Sequence, residues 1–552
     1  MKMKELNTVP ARAGMNVALI FMFLFCFLPA IAQQVLPVIK ANSRQVTIKD
    51  GPVLLKGIWS LSPEVRPDRY QVLKSSLEKT VTFLTDIDSI SFLVRPGNTY
   101  NFAVLLNDKD TCYTQIVAEG DTAGSNRLSP LIGREQQAMD FMIFRDYMEK
   151  EHAGLYRYKS QVEINKIFDD AFLSIKGPSE KLDFGKLIMH VISEVQDGHT
   201  GTNLSSVILS TYMNREKLFP LLLYFDQRTA KVRCGKLDGF PPETEILSIN
   251  GIKIDKIKKV LFSYLPGDGQ IQSKKRQTLN NGSFGFLYRL VFGTFEQFRI
   301  TYKTSAGKAE FANIKASFSS DFDCDTNNPG SSAKDLQISY PSAESAVLTV
   351  KSFDPGRLAR AGLDFPKFLE QVFNEFSTRK TEKLIIDLRG NGGGLDEYGA
   401  LLYAYIAKMP FGYFSAVYPA NNLEPVRDNK LVNLQQPKTN GYKGKIVFLT
   451  DGLCFSTTAD FCAIARSNRR GIFVGEETGG AYYGNTSGGT TRLELPNSKI
   501  QITIPRFKYI NNVKKTKYAD RGILPDHEII PGMNQIISGK DIQMEFALKL
   551  LY

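Results

Sequence analysis

From about residue 340 onward, short apolar runs alternate with amphipathic stretches. Ala346–Phe353 reads as a strand, and Phe368, Leu369, Val372, Phe373 and Phe376 recur at helical spacing after Pro366. Lys383–Leu388 is the next strand, Leu395–Met409 a helix, Lys445–Thr450 a strand, Thr457–Asn468 a helix and Gly471–Gly475 a strand. This alternation predicts a mainly parallel sheet covered by helices. A hairpin follows, with Thr490–Leu495 and Lys499–Ile504 about Pro496-Asn497-Ser498.

Upstream the pattern differs. Residues 33–130 read as an all-β domain: Thr80–Leu84, Ser89–Val94 and Tyr100–Leu106 are separated by turn signals at Asp86, Pro96-Gly97-Asn98 and Asn107-Asp108. Residues 131–204 form a helical segment. Its third helix carries the stripe Leu187, Ile188, Val191, Ile192 and Val195 and is expected to stop at Gly198. Residues 205–330 lean toward β, with Ile246–Ile249, an Asn250-Gly251 turn and Ile252–Ile254 forming a hairpin similar to the peptide-binding hairpin of PDZ domains. By itself the hairpin is an ordinary one. The core spans 335–535, and 536–552 is a C-terminal helix or tail.

A chain of 552 residues with 43% hydrophobic content is large enough for several domains, each with its own core. The formal charge of +12 is scattered, with short clusters at Ser273-Lys274-Lys275-Arg276 and Lys514-Lys515. No aromatic-plus-basic stripe accompanies them, so they read as solvated surface and not as a nucleic-acid site. Residues 1–32 read as a signal peptide, with Lys2, Lys4 and Arg12 ahead of apolar Val17–Leu28 and an Ala30-Ile31-Ala32 cleavage site. The mature protein is therefore expected outside the cytoplasm, periplasmic or extracellular, without stable membrane insertion. Beyond Cys26 there are five cysteines, an odd number whose spacings suit neither zinc nor a redox pair. At least one thiol is expected to be free or paired between chains, and Cys454 and Cys462 are assigned to the core.

Ser456 lies where the Lys445–Thr450 strand gives way to the next helix. There a hydroxyl faces the free N–H groups of the helix start, as a nucleophile requires. The competing reading is a simple N-cap. Lys383–Gly394 (KLIIDLRGNGGG) runs a buried strand into a glycine turn. It lacks the Gly-Lys-Ser/Thr of a phosphate loop, and Leu395 stands where a dinucleotide fingerprint needs its third glycine. Bare N–H groups in such a turn can instead hold an anion that forms during reaction.

Four segments then occur in a telling order: IIDLRGNGGG, the turn with Ser456, Val474–Gly480 (VGEETGG) and Gly522–Asp526 (GILPD). Together they resemble the C-terminal-processing (tail-specific) serine peptidase family. The resemblance implies a multidomain α/β protein with a ClpP/crotonase-like βαβ catalytic core, acting on a protein or peptide substrate and using no metal or organic cofactor. One branch of that family uses a lysine base shortly after the GExT segment, but here Ala481, Tyr482, Tyr483, Gly484 and Asn485 follow, with no lysine. The tricorn-core-like branch takes a histidine from a D-x-H-T-like segment, and this chain has Asp197-Gly198-His199-Thr200.

Of the four histidines, His190 reads as structural, His527 as surface and His152 as a residue able to line a cleft. His199, at a helix end, is the base that the resemblance favours, with an ordinary pKa near 6.5. It further implies an oxyanion hole from the Thr457 N–H and an N–H of Gly392 or Gly393. The orienting acid is assigned to Asp520, the nearby carboxylate upstream of Gly522, with Asp526 expected to cap a turn. Relatives often read Ser-x-x-Glu after the nucleophile, whereas this chain has Ala459 and then Asp460. The alternative is a non-catalytic peptide- or ligand-binding protein on the same fold. Export is checked directly: N-terminal sequencing from the native host is expected to begin at Gln33, and a retained Met1 would reject it.

Overall fold

The computed structural model describes strands within residues 38–117 and, apart from 204–216, 235, 236, 238, 305, 319–333 and 421, residues 131–551. Residues 1–32, expected to be a signal peptide, and Cys324 lie outside the described residues. Two compact units are present, Met1–Arg127 and Leu128–Tyr552. In the first, the described elements are all strands. Val38–Ala41, Gln45–Lys49 and Ser89–Leu93 form one antiparallel sheet. Gln71–Ser75, Thr80–Leu84, Leu54–Trp59, Thr99–Leu106 and Asp110–Val117 form another, in that spatial order.

The second unit is built on a six-stranded sheet in the order Leu336–Ser339, Ser345–Val350, Lys383–Asp387, Lys445–Thr450, Ile472–Gly475 and His527–Glu528. Only the first pair is antiparallel. The strands read as unbroken apolar runs because both faces are covered. Leu384 and Ile386 point into a core shared with helices Phe365–Arg379, Asp396–Ile406 and Thr457–Ser467. Ile385 between them points the other way, with Val347, Val447, Leu449 and Val474, against the C-terminal helix Ile542–Leu551. Cys454 and Cys462 are free and buried in the first of these cores, whereas Cys234 is disulfide-bonded.

Ahead of the sheet, helices Arg134–Glu151, Gln161–Leu173 and Lys181–Val195 share a core with Leu495, Ile500, Ile502 and Ile504. The hairpin of the core, Thr491–Glu494 with Gln501–Ile504, thus serves the helical segment. Its second strand also pairs antiparallel with Gly201–Asn203, Gly201 facing Thr503. A fourth core belongs to the antiparallel sheet Leu222–Phe225, Ala230–Cys234, Glu245–Ile249, Gln297–Lys303 and Ala309–Lys315, with its helices Ile254–Phe262 and Phe284–Phe292. The Asn250-Gly251 turn has both residues at positive φ, 50° and 78°, as a tight two-residue hairpin demands.

Two local expectations are corrected. The third helix does not stop at Gly198: Val195 ends it, and Gln196 takes the left-handed conformation at φ 62°. The Ser273–Arg276 cluster is not solvated surface. Lys275 Nζ donates to Phe262 O at 2.9 Å, and Arg276 Nη2 meets Glu476 Oε2 at 2.6 Å, tying this segment to the core. Chemical denaturation checks the account of the sheet. Ile385 is fully buried, so Ile385→Ala is expected to cost roughly 2–5 kcal/mol, and a loss below about 1 kcal/mol would contradict two-sided burial.

Candidate active site

Ser456 sits at the start of helix Thr457–Ser467 with φ 55° and ψ −133°, a conformation that strains any residue with a Cβ. Its side chain makes no capping hydrogen bond, so the N-cap reading does not describe it. The glycine turn packs directly on it. A Cβ at Gly393 would lie 2.7 Å from Ser456 Cβ and 3.1 Å from Thr457 N, which only glycine permits. The turn is fixed from several sides. Gly390 N donates to the Asp451 carboxylate at 3.0 Å, Asn391 Nδ2 to Val350 O at 3.1 Å and Phe353 N to Gly393 O at 3.0 Å. The Thr457 hydroxyl lies 2.6 Å from Asp396 Oδ1 and 2.9 Å from Gly394 O, joining the turn to the helix that Ser456 opens.

The two glycines offered for the oxyanion hole are not equivalent. Gly393 N donates to Asn391 Oδ1 at 2.9 Å and is occupied. Gly392 is exposed, and among the described residues its N–H has no acceptor. Thr457 N stands at the helix terminus, where no preceding turn supplies a carbonyl. Of the donors expected for the oxyanion hole, those of Gly392 and Thr457 have no acceptor among the described residues.

His199 is brought to this point by the Gly201–Asn203 pairing and by a turn folded around Asp197. Asp197 Oδ1 accepts from His199 N at 2.9 Å, Thr200 N at 2.8 Å and Thr200 Oγ1 at 3.0 Å. The imidazole stacks on Phe455, the residue before Ser456, with ring centroids 4.3 Å apart. Gly198 lies in the same contact: a Cβ there would come within 2.8 Å of the Phe455 ring and 2.9 Å of Asp268 Oδ1. Its glycine answers to this close approach and not to the helix end. Part of the His199 ring stays open, but Nδ1 is enclosed and has no hydrogen-bond partner. Burial pulls its pKa down to about 4; Asp197 opposes this, and Lys274 and Arg157 add to it.

The carboxylates facing His199 are Asp197 and Asp268, which with a His199 ring nitrogen have ligating atoms within 4.8 Å of one another. Asp268 Oδ1 accepts from Gly198 N at 2.7 Å and Oδ2 from Ala481 N at 3.3 Å. Burial, reinforced by the charge of Asp197, raises its pKa to about 6. Lys274 supplies the counter-charge: its Nζ donates to Gly198 O at 2.9 Å and lies 3.2 Å from the Phe455 ring centroid. Burial lowers its pKa to about 8. With an ammonium already inside, the group is a carboxylate–imidazole–ammonium cluster and not a cation site.

Asp520, the expected orienting acid, is placed differently. Its main-chain carbonyl accepts from Gln270 N at 2.8 Å, and its carboxylate is not among the groups acting on His199. Asp526 caps no turn; it accepts from Phe473 N at 2.8 Å and pairs with Arg466 at 2.6 Å. His152 lines no cleft, being wholly buried against Thr200. His190 is structural, bonded to Ser263 O at 2.9 Å, and His527 is half-buried beside Phe546. The sequence reading missed Asp268 and Lys274. The only signal for Asp268 was an aspartate between Gly267 and Gly269, which reads as a surface turn.

Residues 344–529 match the model of peptidase family S41. It is 29% identical over 171 residues to the tail-specific protease of Haemophilus influenzae, a match covering 30% of this chain and 22% of that protein. The fold is similar to that of mature CPAF complexed with lactacystin, with TM-score 0.52 and 12% identity, over 76% of this chain and 97% of that one. A CPAF mutant structure aligns with TM-score 0.54 and 10% identity, over 76% and 96%. Gly393→Ala tests the packing at Ser456. The folded variant is expected to lose reaction of Ser456 with a fluorophosphonate probe, and undiminished labelling would show that the contact does not matter.

Proposed function

We propose that the protein is an exported serine peptidase that cleaves peptide bonds in proteins or peptides. Ser456 attacks the scissile carbonyl. His199 takes its proton and returns it to the leaving amine. The N–H groups of Gly392 and Thr457 hold the oxyanion, and Gly393 shapes the turn. The orienting role passes from Asp520 to the carboxylates that face His199, with Asp197 the nearer in sequence. The observation that carries this reading is the uncapped, strained Ser456 hydroxyl beside free N–H groups, with a neutral imidazole stacked on its neighbour. The sheet edge beside the Glu245–Lys253 hairpin is read as a PDZ-like docking place for substrate.

One observation favours the alternative, a non-catalytic binder. Among the described residues, the His199 ring is hydrogen-bonded neither to Ser456 nor to a carboxylate, and Nδ1 has no partner at all. Catalytic hydrogen bonds are commonly loose until substrate tightens them, so turnover decides. Mature protein is incubated with casein and a fluorophosphonate probe. Ser456→Ala is expected to abolish both cleavage and labelling while the protein stays folded. His199→Ala is expected to remove most cleavage. A Ser456→Ala variant as active as the parent would refute the assignment.

The pH profile follows from the burial of His199. An imidazole whose pKa is depressed to about 4 is neutral, and so competent as a base, at any pH well above that value. The acid limb of kcat/KM is therefore expected near pH 4 and not near 6.5. A limb at 6.5 would show that His199 is solvated in the working enzyme.

A further inference from the structure

His152 and Thr200 have no part in the chemistry described above, yet they form a buried polar network with Gly154 and Asp197. Gly154 N lies 3.0 Å from His152 Nδ1. An amide N–H can only donate, so Nδ1 accepts, and a neutral imidazole then carries its proton on Nε2. That atom lies 2.7 Å from Thr200 Oγ1, which accepts it. The Thr200 hydroxyl must send its own hydrogen onward, and Asp197 Oδ1 is 3.0 Å away. The direction of every bond is forced: Gly154 N–H to His152, His152 to Thr200, Thr200 to Asp197. Both ends are sealed from solvent, with the His152 and Asp197 side chains 0% and 3% exposed. Burial, the dominant influence on His152, favours the neutral form that this chain of bonds requires.

The consequence falls on Asp197. Its Oδ1 receives three donors, from the Thr200 hydroxyl, the Thr200 N–H and the His199 N–H, and is saturated. Oδ2 remains, 3.9 Å from His152 Nε2, as the oxygen left to meet an imidazole N–H. We infer that His152 and Thr200 are positioning residues: they form a relay that keeps Asp197 ionised and turned so that Oδ2 serves the His199 ring. This inference rests on the reading of His199 as general base. A core histidine that merely fills space would need neither a forced tautomer nor a hydroxyl between itself and the carboxylate. The relay also sets the charge felt by His199. The charged groups around that ring are Asp197, Asp268, Lys274 and Arg157; around His152 they are Asp197 and Arg157. A donor aimed at Asp197 spreads its negative charge, so losing that donor leaves more of it for His199.

Three variants test the relay in the full-length mature protein. His152→Leu and Thr200→Val each break it. His152→Gln retains it, because the glutamine amide nitrogen can occupy the place of Nε2 and donate to Thr200. The first readout is the His199 titration midpoint from imidazole NMR, which is tractable because the chain has four histidines. The second is kcat against KM with casein-derived peptide. In Thr200→Val, which removes the donor to Asp197, the His199 midpoint is expected to rise most; in His152→Leu, where the Thr200 hydroxyl stays but loses the bond that directs it, it is expected to rise less. The kcat should fall on the order of tenfold, by analogy with outer partners of ligating histidines, at unchanged KM. His152→Gln should restore both. Folded Leu and Val variants with an unmoved midpoint and an unmoved kcat would overturn the relay, as would a Gln variant no better than Leu. If His152→Leu does not fold, Thr200→Val against His152→Gln gives the same comparison. A parent protein that neither cleaves nor labels would instead sink the peptidase reading, and the His199 midpoint would still decide the relay.

Discussion

Two carboxylates that cannot both be buried for nothing hold the candidate site together. Desolvating an aspartate is costly unless hydrogen bonds or an opposite charge offset it. Asp197 meets that cost with the N–H groups of its own turn and the Thr200 hydroxyl. Asp268 meets it with N–H groups from two other segments, Gly198 and Ala481. Lys274 completes the neutralisation from a fourth segment by bonding Gly198 O. The helical segment, the antiparallel sheet's helical excursion and the core peptidase sheet are thus clasped at one point. His199 is held against Phe455, the residue before Ser456, because burying these charges separately would cost more than burying them together. The glycines follow from the same clasp, since Gly198 has Phe455 on one side and Asp268 on the other.

The parts written into the sequence were those with a local cause. A strand buried on both faces shows itself as an uninterrupted apolar run, so Lys383–Asp387 and Lys445–Thr450 were legible to within a residue. A turn that admits no Cβ shows itself as consecutive glycines, and a strained strand-to-helix junction left Ser456 standing between two clear periodicities. The Asn250-Gly251 hairpin was legible for the same reason, because its φ values select those residues. The parts that were not legible have causes distant in sequence. Nothing near Lys274 announces that Phe455 and Gly198 will cover it, so Ser273–Arg276 read as a solvated cluster. Nothing near Asp268 announces His199. Asp520 was favoured by nearness to a motif, but proximity along the chain says little about which carboxylate faces an imidazole contributed by another segment. Gly198 was read as a helix breaker because helix ends are the commonest use of such a glycine. Its actual neighbours are tertiary.

The same cluster sorts its titratable groups into roles. The family branch that uses a lysine would place one just after Gly480, where this chain has Ala481. An ammonium nevertheless reaches the site, as Lys274, from a different part of the fold. Its position argues against service as the base. Its donors are committed to Gly198 O and to the Phe455 face, and with a pKa of about 8 it is predominantly charged at neutral pH. His199, pulled down to about 4 in part by that ammonium, is neutral at the same pH and has a lone pair to offer. Buried cation and neutral imidazole therefore depend on each other. Lys274 balances the aspartates, and in doing so it discourages a second positive charge on His199. On the mechanism proposed above, a developing imidazolium would fall to Asp197 and Asp268 to stabilise, and both carboxylates are already fixed by bonds that do not involve the ring. In our reading the site is built so that its electrostatics are set before substrate arrives and only the imidazole has to move.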